Sequence, residues 1–148
     1  MPHLYFTLLT IICAFAFWKG GREERIVAIT SILATAITMA LTGAVDQRYV
    51  GLEFGVMLVD LVVLAIYVSM ALLSDRFWPL WVAGLQLTTS FSHGAKAINL
   101  DLMPTAYAVA AQFWVYPILI ILFVATWRRA ARRSADARSL VGPDPSAT

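Results

Sequence analysis

A chain of 148 residues with 60% hydrophobic and 14% charged positions and a mean hydropathy of +0.76 lies far from a water-soluble domain, where about 45–50% of residues are apolar and about 25% charged. So short a chain with several apolar runs of near-spanning length must let lipid replace most of its core. The net charge of +2 offers no basic surface for nucleic acid, and the single cysteine, Cys13, excludes an intramolecular disulfide and a zinc cluster of the usual spacing.

The first apolar run, residues 3–18, is short for a span, yet about 17 residues suffice when the flanking groups adapt. Ala14-Phe15-Ala16 looks like a signal-peptide cleavage site, but the basic segment expected ahead of it is missing, so the run is expected to remain as a helix. A charged turn, residues 19–25, follows, with Gly20 and Gly21 reversing the chain. The second run, 26–42, carries Ser31, Thr35, Thr38 and Thr42 on one face, near Ala28 and Ala34. Such a row reads as a small-residue packing seam whose hydroxyls bond back to their own helix.

The third run, 52–73, is interrupted in its middle only by Asp60, and Glu53, Asp60 and Tyr67 recur every seven residues along one stripe. Ser74-Asp75-Arg76 then makes a tight connection, and Ser74 or Asp75 is placed to cap a fourth helix that has Pro79 in its first turn. The third and fourth helices must therefore form an antiparallel hairpin.

The fourth run, 77–98, is the most polar. At about 100° per residue, Gln86, Thr89, Ser90, Ser92, His93 and Lys96 share one side, and Leu80, Leu87, Phe91, Ala95 and Ile98 the other. A fifth run, 104–127, contains Pro117, whose missing N–H leaves the carbonyl of Phe113 without its helical partner and should bend the helix. Gln112 and Tyr116 flank that bend. Residues 128–148 are basic first, then rich in Ser, Pro, Gly and Asp, and their end is expected to be disordered.

The sequence thus predicts an all-α bundle of five transmembrane helices. With the N-terminus outside and the C-terminus inside, nine Lys and Arg fall on the inner side and only Arg48 and Lys96 on the outer, as the positive-inside rule demands. Trp18, Trp78, Trp81 and Trp127 then share the inner interface as an aromatic belt. Small size and an alanine- and arginine-rich style suggest a bacterial-type inner membrane.

Depth follows at about 1.5 Å per residue, which puts Asp60 about 12 Å and His93 about 8 Å below the outer ends of their helices. A carboxylate there costs roughly 2.5–3.5 kcal/mol on insertion scales and needs a proton, a partner or a wet cavity. His93 or Lys96 is the expected partner. The candidate set is Asp60, His93, Gln86, Ser90, Lys96, Gln112 and Tyr67, with Glu53, Asp46 and Asp101 further out. One reading makes this set a polar clamp within a non-enzymatic accessory or assembly subunit of a larger complex, or within a self-associating protein. The other is a small carrier or ligand-binding protein in which Asp60 and His93 handle a proton or a polar ligand such as a quinone head group.

No cofactor is required by any motif. A haem held by His3 and His93 is the remote alternative. The chain has no Gly-x-Ser-x-Gly, no His-Glu-x-x-His and no glycine-rich phosphate loop, so hydrolase, metalloprotease and nucleotide-dependent mechanisms lack their minimum parts. The arginines after Trp127 read as a topogenic stop signal that also attracts anionic lipids.

Overall fold

A computed structural model describes residues 2–44, 49–98 and 113–140; side chains at 2, 42–44, 49–53, 93 and 95–98 fall outside that description. Among the described residues the chain is all-α, with five helices and no strand: α1 (Pro2–Lys19), α2 (Arg22–Ala44), α3 (Tyr49–Leu73), α4 (Trp78–Ile98) and α5 (Val115–Leu140).

The turn between α1 and α2 is shorter than the charged stretch implies. Lys19 closes α1 and Arg22 already opens α2, leaving Gly20 and Gly21 as the whole connection. Two local interactions explain why the helix begins so early. The Gly21 carbonyl accepts the Arg25 N–H at 3.1 Å, and the Glu24 carboxylate accepts the Gly21 N–H at 2.8 Å, the reciprocal half of a capping box. Gly20 is required by close approach. Its N–H donates to Ala16 O at 2.9 Å, and a Cβ there would collide with that same oxygen.

Between α3 and α4 the cap differs from expectation. Ser74 accepts the Arg76 N–H at 3.1 Å and donates to Glu23, so it builds the turn, while the first bond of α4 runs from Leu80 N–H to Phe77 O. Pro79 does occupy the first turn of α4, buried. In α5 the interior kink becomes a break. Phe113 is helical, Trp114 is a turn, and Pro117 falls in the first turn of the helix that starts at Val115, where a missing donor is harmless. Residues 104–112 of the expected fifth span lie outside the described residues. Residues 128–140 continue α5 as helix, whereas 141–148 lie outside the description.

The helices form a closed ring in chain order. Each packs on its sequence neighbours, α5 closes onto α1, and α5 also reaches α2. Tyr67, Val27, Val82, Ala16, Leu119 and Leu122 fill the centre. Ring contacts of Tyr5 with Tyr116 and of Phe15 with Phe123 show α1 and α5 running in the same direction, so the start of α1 and the end of α5 lie at opposite ends of the bundle.

Gln86, Thr89, Ser90, Thr30 and Thr126 are buried, while Leu80, Leu87, Phe91, Ile32, Leu33 and Leu72 are exposed, Phe91 at 78% against 6% for Gln86. Exposed hydroxyls are satisfied locally: Thr7, Thr10, Ser69 and Thr88 each donate to the carbonyl four residues earlier.

Two segments, Arg22–Leu41 and Phe54–Leu73, are long and apolar enough to cross a membrane, and His3–Lys19 is a shorter apolar helix. The other two helices fall below that mark for different reasons. α4 carries its polar face within its own length, and α5 has only residues 115–127 before the arginines begin.

Candidate functional site

The α3–α4 hairpin brings Asp60 opposite Gln86 and Ser90. Gln86 Nε2 donates to Asp60 Oδ1 at 3.2 Å, and Ser90 Oγ reaches the Asp60 backbone carbonyl at 3.5 Å. The described partner of Asp60 is thus an amide about two turns nearer the hairpin turn than His93, the partner that sequence reasoning put first together with Lys96. His93 and Lys96 belong to α4, but their side chains lie outside the described residues; Gln112, Asp46 and Asp101 lie outside them entirely, and so does the side chain of Glu53.

Tyr67 is not part of the Asp60 group. It is 1% exposed, and its hydroxyl meets Ser31 Oγ at 3.0 Å. Thr35 Oγ1 donates back to Ser31 O at 2.8 Å and also meets the Tyr5 hydroxyl at 2.7 Å. At Thr35 the seam on α2 bonds back to its own helix as expected, and through Ser31 and Thr35 it also threads α3, α2 and α1 together, with the Tyr5 ring edge-on to Tyr116 of α5. Chemically, these groups hold one another; no nucleophile with an adjacent base emerges among the described residues.

His3 is exposed near the start of α1. Among the described residues α1 packs on α2 and α5 and not on α4, so His3 and His93 stand on helices that are not neighbours. No group of three His, Cys, Asp or Glu side chains able to hold a metal ion occurs among the described residues.

A second polar group, at the Gly20 end, was not anticipated. Glu24 is fully buried and is met by the Gly21 N–H, by Arg76 Nη1 at 3.5 Å and by Arg129 Nη1 at 3.8 Å. Glu23 accepts from Ser74 Oγ at 2.7 Å and pairs with Arg76 Nε at 3.2 Å. One cluster thus ties the α1–α2 turn, the α3–α4 turn and the middle of α5. Arg129 also lies flat against Gly21, where a Cβ would occupy the space of its guanidinium. A carboxylate with no access to water is tolerable only with such partners, since an unpaired buried charge is strongly destabilising. The signal was present in the sequence as two glutamates set among the cations of one end, with Glu24 three residues after Gly21 in capping-box register.

No known protein family, curated protein or solved structure matches the chain.

Proposed function

We propose that the chain is an integral membrane protein of five membrane-spanning helices, N-terminus out and C-terminus in, in a bacterial-type inner membrane. In this reading it works without catalysis, as an accessory, assembly or self-associating subunit. The observation that carries the reading is the face the bundle turns outward: Leu80, Leu87, Phe91, Ile32, Leu33 and Leu72 are exposed around an apolar core, and the polar Gln86, Thr89 and Ser90 are turned inward with it. Water offers no reason to turn Gln86, Thr89 and Ser90 inward and Leu87 and Phe91 outward; a hydrocarbon solvent does. Trp18, Trp81 and Trp127, exposed at the Gly20 end beside the arginines, suit the membrane interface.

Within this reading Asp60 is a clamp, because Gln86 and Ser90 spend their polar groups on it. The second reading, a carrier for a proton or a polar ligand, has one observation in its favour: Asp60 is a half-buried acidic residue in the middle of the most apolar helix.

The test has two steps. Membranes from expressing cells are washed with alkaline carbonate, and the protein is expected to stay in the pellet; release into the wash overturns the membrane reading. Native mass spectrometry from mild detergent should then show the chain with a partner or with further copies of itself. A solitary chain whose Asp60→Asn variant folds normally but loses a bound small molecule transfers the case to the carrier.

A further inference from the structure

At the Gly20 end, bordering the Glu24 cluster through Gly21 and Arg129, an open cleft of about 460 Å³ is lined by Gly20, Gly21, Arg22, Arg25, Ile26, Ile29, Arg129 and Arg133. Four arginines from two helices line it. Arg22 and Arg25 stand one turn apart on α2, and Arg129 and Arg133 one turn apart on α5. The nearby carboxylates are already engaged, Glu24 by Gly21, Arg76 and Arg129, and Glu23 by Ser74 and Arg76. Among the described residues no carboxylate pairs with Arg22, Arg25 or Arg133, and Asp136, further along α5, is exposed. Arg22, Arg25 and Arg133 therefore keep their charge for a ligand, while Arg129, which covers Gly21 and pairs with Glu24, closes the inner side of the cleft.

The cleft has a second character. Arg22, Arg25, Ile26 and Ile29 follow the i, i+3, i+4, i+7 spacing of a single helical stripe, so along α2 the wall changes from cationic at the turn to apolar further up. Ile29 is 44% exposed there. A soluble anion needs the arginines alone, whereas an anionic lipid needs both halves in this order, phosphate at the turn and acyl chain along the isoleucines. Arginine suits the first task, because its planar fork matches phosphate oxygens in pairs.

We infer that this cleft is a discrete phosphate site, holding the phosphate of one anionic lipid between Arg22 and Arg25 of α2 and Arg129 and Arg133 of α5. The identity of the donor as lipid rests on the membrane reading above; the phosphate site does not. It differs from a diffuse attraction of lipid to the basic end of α5, because Arg132 and Arg138, on the same helix, take no part in it.

Lipid-stripped protein in mild detergent is titrated separately with dioleoyl phosphatidylglycerol, dioleoylglycerol and inorganic phosphate, and bound molecules are counted by native mass spectrometry. One phosphatidylglycerol per chain is expected, with dioleoylglycerol weak. The pair Arg25→Gln and Arg133→Gln should weaken phosphatidylglycerol roughly tenfold or more, and the pair Arg132→Gln and Arg138→Gln by less than about twofold. All four side chains are exposed, so the variants should keep the helical circular dichroism of the parent. Equal weakening by both pairs, or equal binding of dioleoylglycerol, overturns the site. Inorganic phosphate binding as tightly as the lipid, with the same dependence on Arg25 and Arg133, overturns the lipid source and leaves the phosphate site standing. Release by carbonate with that phosphate binding intact would sink the membrane reading alone.

Discussion

At the Gly20 end the bundle joins its helices through formal charges, Glu23 and Glu24 against Arg76 and Arg129. About 10 Å along α2, and again at Asp60 on α3, it joins them mostly through hydroxyls and an amide: Ser31 with Tyr67, Thr35 with Tyr5, and Gln86 with Asp60. The difference matches what each level can support. At the end of the bundle the cations keep part of their hydration, as the 40% exposure of the Arg76 side chain shows, whereas the fully buried Glu24 depends on them to offset its desolvation. Deeper in the bundle the bonded groups are mostly neutral and satisfy one another at small net gain, because the unfolded chain in the membrane finds partners for them as well. The charged end should therefore be the brittle one and the hydroxyl level the tolerant one.

Glu24→Ala is the substitution that separates the two most sharply. It removes the acceptor for Gly21 and the shared counter-ion of Arg76 and Arg129 at a site without water, and a loss of about 3–5 kcal/mol is expected, read as a lowered midpoint in reversible unfolding in mixed micelles. A loss below about 1 kcal/mol would mean that Arg129 re-hydrates freely and that the cluster is peripheral. Gly20→Ala comes next. The added methyl meets the Ala16 carbonyl oxygen and Glu24 Cβ, and since backbone must move to admit it, about 1–3 kcal/mol should be lost in the same assay. Gly55→Ala is the control, because a Cβ there meets only the ends of the Leu41 side chain at ordinary contact distance.

Much of this arrangement was readable from the residues. The turn glycines, the hairpin dictated by 74–77, the burial of the Gln86 and Ser90 face and the hydroxyl seam on α2 all follow from periodicity, because a 3.6-residue repeat fixes which side chains share a face. What periodicity does not fix is partnership across helices. Tyr67 shares a stripe with Asp60 on α3, yet it turns to Ser31 because α3 lies between α2 and α4 in the ring, and a stripe is wide enough to serve both neighbours. The Glu24 cluster was hidden for a related reason: its members come from positions 24, 76 and 129, and charges beside glycines read naturally as a solvated loop. The early start of α2, set by Glu24 bonding to Gly21, is a local signal that the charged composition of the stretch concealed.

Within the deeper level the two kinds of bond can be ranked against each other. Gln86→Leu removes the donor to Asp60 while nearly conserving volume, so its effect of about 1–2 kcal/mol should report the hydrogen bond to a carboxylate. Tyr67→Phe removes only a hydroxyl that Ser31 can replace by bonding back to its own helix, as Thr35 already does to Ser31 O. The expected loss is therefore smaller, about 0.5–1 kcal/mol. A cycle with Ser31→Ala decides whether that bond couples α2 to α3 at all. If the Tyr67→Phe loss vanishes once Ser31 is alanine, the hydroxyl pair is the link. An unchanged loss would instead assign the effect to surroundings of the hydroxyl other than Ser31 and would leave the amide at Asp60 and the charges at Glu24 as the polar bonds that hold α3 in register.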